Sequence, residues 1–561
     1  ISLKEIFTHP TIAGQAVLIS AATQTESEQI PLAARAEDYA LSNAQRRLWV
    51  LSKLDEGLAA YNMPAAVRLQ GRLDVFSLEK AFGLLFARHE SLRTNFIERA
   101  GEGRQLIRAI TGYTLPLRDC RGAGEEEIDA LIHQHATRLF DLENDQLLQL
   151  ELLELNDEEH LLLFNMHHII SDGWSMNVLI EELGILYREC LAGVANPLGL
   201  LQPLRIQYKD YAAWQNNQLA WEASAEGNVA GDGSAGVVNT GLQTTTLGQL
   251  RAHWQHQLSG ISPLELPTDY PRPLVKTYRG SHLGAILSPA TAAALQAFST
   301  ESGASLFMTL TALVNVLLHR YTGQEDIVVG SPTAGRGHAD LHGQIGFYIN
   351  TLALRTRLRS DMSFAELLAQ QKQTILDAFE HEHYPFDRLV EELDIPRDMS
   401  RSAVFDVMVV LQNHSNLNIN SQSKSKSLEI APYRLEQKYS KFDISFTFIE
   451  TDSYLNLGIN YNSDIYDNSF IENIFDHLEK LLTEAVSNDT INLGVIDYLS
   501  EKEKSTLLFD FNDTFKTSER TLNLVFEFES CAAENPDHKC LVYQENRYSY
   551  KELNEISNAL S

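Results

Sequence analysis

Two adjacent histidines, His167 and His168, with Asp172 four residues after the second and Gly173 next to it, are the most chemically suggestive group in the chain. Imidazole titrates near neutrality, so a histidine facing a cleft can accept a proton from a nucleophile. Asp172 can fix the following turn through an ion pair or backbone hydrogen bonds. Metal chelation is disfavoured, because neighbouring strand residues point to opposite faces and neither an HExxH pattern nor a third ligand at suitable spacing accompanies the pair. An isolated histidine is more often a satisfied core or surface residue than a catalyst, and the pair alone does not decide between these.

The elements that must position the pair are legible nearby. Residues Glu159 to Ile170 (EHLLLFNMHHII) form a compact apolar run suited to a buried strand, which Ser171-Asp172-Gly173 breaks. Met176, Leu179, Ile180, Leu183 and Tyr187 then recur at helical spacing, so the turn joins a core strand to a core helix. If the strand persists through both histidines, one imidazole faces a cleft and the other the interior. Leu306 to Leu318, interrupted by Thr309, Thr311 and Asn315, predicts a buried helix shorter than the ~20 residues a bilayer needs.

Composition narrows the function classes. The 561 residues suffice for roughly three to four domains or fewer large ones. The 44% hydrophobic and 21% charged residues are those of an ordinary globular protein. A net charge of -30 argues against nucleic acid and anionic membrane as partners. Cys120, Cys190, Cys531 and Cys540 show no CxxC spacing, and Ile1 to Ala16 lacks the pattern of a signal peptide, so a reducing cytoplasm fits. Residues 21 to 29 read as a linker and 223 to 248 as a flexible surface insertion. Within the insertion GDGSAG matches GxGxxG, without the flanking strand and helix that a phosphate-binding turn needs. Beyond Asn413 alanine falls while Asn, Ser and Lys rise, consistent with either drift or a chain joined from two sources.

HHIISDG (His167 to Gly173) resembles the HHxxxDG signature of condensation domains in nonribosomal peptide synthetases. LSNAQRRLWVL (Leu41 to Leu51), RHESLRTNF (Arg88 to Phe96), YKDYAAW (Tyr208 to Trp214), IGFYINTLALR (Ile345 to Arg355), HEHYPFDRLV (His381 to Val390) and RDMSRSAVFDVMV (Arg397 to Val409) resemble the family's other core motifs in order. The resemblance runs from about Ile30 to Ser487. Before it, IFTHPTIAGQA resembles the last helix of a peptidyl carrier domain; after it, YSYKELN (Tyr548 to Asn554) resembles the first motif of an adenylation domain. SAVF in place of the commoner NPLF, and the insertion after Trp214, depart from the family pattern.

The resemblance implies an α/β fold of two chloramphenicol-acetyltransferase-like lobes in a V-shaped pseudodimer, with the active-site tunnel between them. The implied domains are a carrier tail at 1–20, a linker at 21–30, lobes at 31–205 and 206–490, a linker at 491–521 and an adenylation fragment at 522–561. The implied reaction is attack by the amine of an acceptor aminoacyl thioester on a donor peptidyl thioester. Both are tethered by 4'-phosphopantetheine to carrier domains, with no metal and no ATP in this stretch. The partners are the upstream donor and downstream acceptor carriers and the adjoining adenylation domain.

Carried over, His168 is catalytic, as base or as a group that positions the amine, and His167 is structural. Asp172 is architectural, paired with Arg93 as first choice and Arg355 as second. Gly173 permits a tight turn and backbone approach to substrate, and Asn350 lines the tunnel. Phe347 and Tyr348 pack core, as do Trp49, Trp174 and Trp214, and His381 and His383 are structural or surface residues. An epimerisation domain shares HHxxxD, but Gly173-Trp174-Ser175 and IGFYINT favour condensation. A heterocyclisation domain would carry DxxxxD, and a noncatalytic carrier-docking module would tolerate loss of His168. The direct passage from carrier-like tail to condensation motifs implies an L-configured donor.

Overall fold

The computed structural model describes residues 3–21, 29–54, 59–109, 112–226, 237–239, 244–413, 428–433, 435–451, 454–514 and 523–560. The GDGSAG segment and the stretch just past Asn413 lie outside these. Residues up to Tyr498 form one compact unit and those from Leu499 a second.

The first unit contains two large sheets. One has five strands in the order Leu428–Tyr433, Asn62–Gly71, Glu159–His167, Leu148–Asn156, Leu117–Asp119, antiparallel except for the last pair. Glu159–His167 lies at its centre, and every residue of it after Glu159 is buried. Leu162, Phe164 and Met166 join the core beneath the helices Val75–Arg88 and Gly173–Leu191, while Leu161 and Leu163 face the helix Glu125–Ala136. A strand covered on both faces needs apolar residues at successive positions, which explains the unbroken run read from the sequence.

The second sheet has six strands in the order Gly280–Leu287, Leu455–Asn462, Ile444–Glu450, Val407–Asn413, Asp326–Thr333, Asn350–Arg357. Its core is built on the helix Leu306–Thr322, buried from Met308 to His319. The polar residues that interrupt this helix are bonded, though not fully: Thr309 bonds Ser299 at 2.8 Å, Thr311 donates to the Phe307 carbonyl at 2.7 Å, and Asn315 donates to Thr356 and Gln371 at 3.1 and 3.2 Å while its Oδ1 is buried without a partner among the described residues. Those bonds offset much of the cost of burying the donors.

The two lobes are not contiguous segments divided near residue 205. Leu428–Tyr433, from the second half of the chain, pairs antiparallel with Asn62–Gly71, Ile430 opposite Leu69, and completes the first sheet. Exposed strand edges invite pairing, and this strand covers one. The second unit holds the helix Leu524–Glu534, the hairpin Lys539–Tyr543 with Asn546–Ser549, and the helix Tyr550–Leu560. No single helix among the described residues is long and apolar enough to cross a membrane.

Because the central strand holds the histidine turn from both faces, Phe164→Ala should cost about 3–5 kcal/mol through the cavity it leaves. Thermal or urea denaturation of the variant checks this, and a midpoint equal to wild type would show that the strand is not the anchor.

Candidate active site

The strand ends at His167, and His168 opens a short 3-10 turn, His168–Ile170. The alternation expected across the pair is therefore replaced by a change of backbone course, with the same separation of the two rings. His167 is buried; its Nδ1 accepts from the Ile169 amide at 3.1 Å and its ring meets Phe140 edge-on at 5.9 Å. Burial drives its pKa down to about 3, so the ring is neutral. His168 lines a cavity of about 3500 Å³ whose walls come from both lobes. That is several times the ~300–1,000 Å³ of a small-molecule pocket.

His168 Nδ1 lies 2.9 Å from the Ser171 carbonyl oxygen. A carbonyl only accepts, so Nδ1 carries the proton and the neutral ring keeps its Nε2 lone pair as an acceptor. Phe347 meets the ring edge-on at 5.1 Å. Burial, and secondly the charge of Lys441, hold this imidazole well below the ordinary histidine range.

Asp172 caps the helix Gly173–Leu191, accepting from the Ser175 amide at 2.8 Å. Its second neighbour is Arg336, whose Nη2 donates at 3.0 and 3.3 Å, with both side chains buried. The Tyr348 amide donates to the other carboxylate oxygen at 3.1 Å. Ser175 Oγ sits 2.7 Å from Asp172 and 2.8 Å from Arg336. Arg336 is held by donation to the carbonyls of Leu341 and Gln344, and its guanidinium lies on the Tyr348 ring at 4.1 Å. One carboxylate thus ties the histidine turn to the loop before the strand Asn350–Arg357.

Neither arginine expected beside Asp172 is there. Arg93 donates to the carbonyls of Phe86 and Arg108 at 3.2 and 2.7 Å, which fixes it at the end of its own turn, Glu90–Arg93. Arg355 is bound to Asp326 across neighbouring strands and to the carbonyls of Gln257 and Ser259. The residue that sequence reasoning missed, Arg336, follows Gly335, whose φ of +63° turns the chain where a Cβ would fall 2.0 Å from the Tyr348 oxygen. An arginine between two glycines just before IGFYINT was the available signal.

Other expectations change in detail. Gly173 has no left-handed backbone and a Cβ there would meet nothing within 4 Å, so a tight turn does not require glycine. It lines the cavity, where a side chain would occupy open space. Asn350 lines the cavity too, but its amide clamps the HEHYPFD turn, donating to the carbonyls of Glu382 and Tyr384 and accepting from the Phe386 amide. Trp174 is 43% exposed rather than core, its Nε1 donating to the His342 carbonyl at 2.9 Å. Trp49 is buried, and Trp214 borders the cavity. Phe347 is half-buried against His168, Tyr348 fully buried. His381 stacks on His253 at 3.6 Å, and His383 is exposed.

The remaining motifs act as braces. Arg88 and His89 both bind Glu182, at 3.0 and 2.7 Å, and so anchor the helix that follows the histidine turn. Gln45 donates to the Ile169 carbonyl, and Tyr208 bonds Ser42 at 2.8 Å while donating to the Phe347 carbonyl. Among the described residues no three His, Cys, Asp or Glu side chains converge as metal ligands would.

The condensation-domain profile matches residues 35–226 and 239–508, nearly the whole of this architecture. The chain belongs to the condensation-domain family. The gap in the match falls within the insertion after Trp214. The domain is 35% identical over 564 residues to bacitracin synthase 2 of Bacillus licheniformis, and 36% identical over 563 residues to tyrocidine synthase 3 of Brevibacillus parabrevis. Each match covers 100% of this chain but only 20% and 8% of those proteins. Among solved structures, the X-domain of teicoplanin biosynthesis in complex with OxyB aligns with a TM-score of 0.73 and 26% identity, covering 85% of this chain and 100% of that one. A four-domain nonribosomal peptide synthetase bound to AMP and glycine gives a TM-score of 0.73 at 19% identity, covering 94% and 40%, and shares the fold. The condensation-domain fold is therefore the two-lobed α/β architecture described above.

Removing either partner of the buried pair strands the other charge, so Arg336→Ala and Asp172→Ala should each cost about 3–5 kcal/mol. The double variant should lose clearly less than the sum, and a denaturant-melt double-mutant cycle measures the difference.

Proposed function

We propose that this condensation domain forms a peptide bond between two carrier-bound thioesters, with His168 as the proton acceptor. The observation that carries the reading is the imidazole whose Nδ1–H is spent on the Ser171 carbonyl while its Nε2 is left as an acceptor at a cavity wide enough for two substrate arms. The thioesters arrive on 4'-phosphopantetheine arms of upstream and downstream carriers, and the arms supply the activated acyl group and the leaving thiol. The acceptor amine attacks the donor carbonyl carbon. Its surplus proton passes to His168 Nε2, the carbon–sulfur bond breaks, and the departing sulfur takes the proton to become a thiol. Confinement of both thioesters supplies much of the acceleration, since oriented intramolecular reactions reach effective molarities of ~10⁵–10⁸ M.

The domain assignments follow the same reading: a carrier tail before residue 21, an adenylation segment from about residue 522, and an L-configured donor. An epimerisation domain would use a histidine of this motif on one carrier-bound residue alone, and a docking module would not use it at all.

With both carriers loaded, His168→Ala should slow amide formation on the order of 10²–10⁴-fold if the histidine is a general base. Single-turnover kinetics by mass spectrometry give the rate, and an undiminished rate would remove the base assignment. Since His168 lies well below the ordinary histidine range, its protonation should not limit the wild-type rate until the pH falls clearly under about 6.5. Offered matched donors, the domain should use the L form in preference, since misplacement of the reacting centre by about 1 Å can cost on the order of 10²-fold. Preference for the D form would overturn the donor assignment and leave the condensation reading in place.

A further inference from the structure

One hydrogen bond does not fix an imidazole. The torsion that turns a histidine ring is broad, and a neutral bond such as that from His168 Nδ1 to the Ser171 carbonyl biases an orientation by roughly 2- to 13-fold. A ring that turns off that carbonyl carries Nε2 away from its place at the cavity. It is then free to take the tautomer in which Nε2 bears the proton and is a donor. A second contact is present. The Phe347 ring meets the imidazole with 5.1 Å between centroids and 65° between planes, and both residues line the same cavity.

The main chain delivers that phenyl ring from the same support that holds the histidine. The Gly346 amide donates to Ser175 Oγ and the Tyr348 amide to Asp172, each at 3.1 Å. Between them the Phe347 carbonyl accepts from the Tyr208 hydroxyl, itself bonded to Ser42. Asp172 and Ser175 form the cap of the helix Gly173–Leu191, which begins where the histidine turn ends. Both flanks of Phe347 are thus fastened to that cap, and the two rings share one frame. All three bonds are made by main-chain atoms at positions 346–348, so the phenyl side chain contributes nothing to them.

Resting on the condensation reading, we propose that Phe347 is a positioning residue of the amide-forming step. Packed edge-on against His168, it holds the plane of the imidazole, so that Nδ1–H stays on the Ser171 carbonyl and the Nε2 lone pair stays open to the cavity. The phenyl ring fixes the plane, and the carbonyl fixes which way round the imidazole lies in it. An aromatic pair of this geometry adds a bias of roughly 2- to 13-fold, the same size as that of the hydrogen bond. Phe347 takes no part in the proton transfer, which runs from the amine to Nε2 and on to the departing sulfur. It raises the share of molecules in which Nε2 is in place when the amine attacks, and misplacement of a reacting group is costly.

The test compares wild type with Phe347→Tyr, Phe347→Leu and Phe347→Ala, each first shown to melt cooperatively; if the alanine variant does not, the leucine variant carries the test. Two readouts are taken. One is single-turnover amide formation with loaded carriers, read as the rate at saturation and the acceptor concentration that gives half of it. The other is nitrogen NMR of the His168 ring in the full chain, the signals assigned by their loss in His168→Gln. Wild type should show a protonated Nδ1 and a bare Nε2. In Phe347→Leu and Phe347→Ala the form with the proton on Nε2 should appear, and the saturated rate should fall on the order of 10-fold with the half-saturating concentration unchanged. Phe347→Tyr keeps the ring and should keep both readouts near wild type. Folded leucine and alanine variants with the wild-type tautomer would overturn the proposal, as would a changed tautomer at an undiminished rate. A change in half-saturation alone would make Phe347 a wall of the substrate site and overturn it too. The NMR readout needs no loaded carrier: if the tautomer changes while the wild-type chain forms no amide, the condensation reading fails and the hold of Phe347 on His168 stands.

Discussion

The buried ion pair between Asp172 and Arg336 is the constraint on which the site depends. A carboxylate with no exposure needs partners for its oxygens, and here they are a guanidinium, two backbone amides and a serine hydroxyl. Those partners come from the helix after the histidine turn and from the loop that leads into the strand Asn350–Arg357. Meeting the demands of one carboxylate therefore joins the two lobes at the point where the cavity needs a fixed imidazole. The turn cannot shift without breaking several buried bonds, which fixes the course of the backbone between His167 and Gly173. The Ser171 carbonyl, held within that turn, then sets the tautomer of His168.

Around this fixed point the braces are distributed over the whole motif set. Glu182 receives Arg88 and His89, Gln45 reaches the Ile169 carbonyl, and Asn350 clamps the turn from Glu382 to Phe386. The short sequence signatures thus hold one another, and His168 and Gly173 face a cavity whose wall takes residues from most of them, Arg47, Trp214, Asn350 and Phe386 included. Electrostatically the cavity wall is mixed: Arg47, Lys276 and Lys441 share it with carboxylates such as Glu382, Asp387 and Glu392.

Periodicity was enough for the central strand and the helix after it, because burial on both faces leaves an unbroken apolar run and a helix shows its stripe. It was enough for the buried helix around Asn315 as well, where the Asn315 amide donates to Thr356 and Gln371 on elements distant in sequence. The partner of Asp172 was not legible: an ion pair across about 160 residues leaves no periodic trace, and arginines inside the motifs drew attention from Arg336, which lies between them. The exchange of Leu428–Tyr433 into the first sheet was hidden for the same reason, since register between distant strands is decided by tertiary packing. The reason for Gly173 was misread because a glycine in a turn suggests backbone strain, whereas here it leaves free space at the cavity wall.

The central claim is that the fixed imidazole serves the joining of two tethered substrates and not the remodelling of one. Intact-mass measurement of both carriers after a single turnover, followed by chiral analysis of the released product, tests it most directly. The account predicts that the acceptor carrier gains the mass of the donor acyl group while the donor carrier returns to its free thiol, with the donor α-carbon unchanged in configuration. Carriers of unchanged mass, with the configuration of one bound residue inverted, would contradict it.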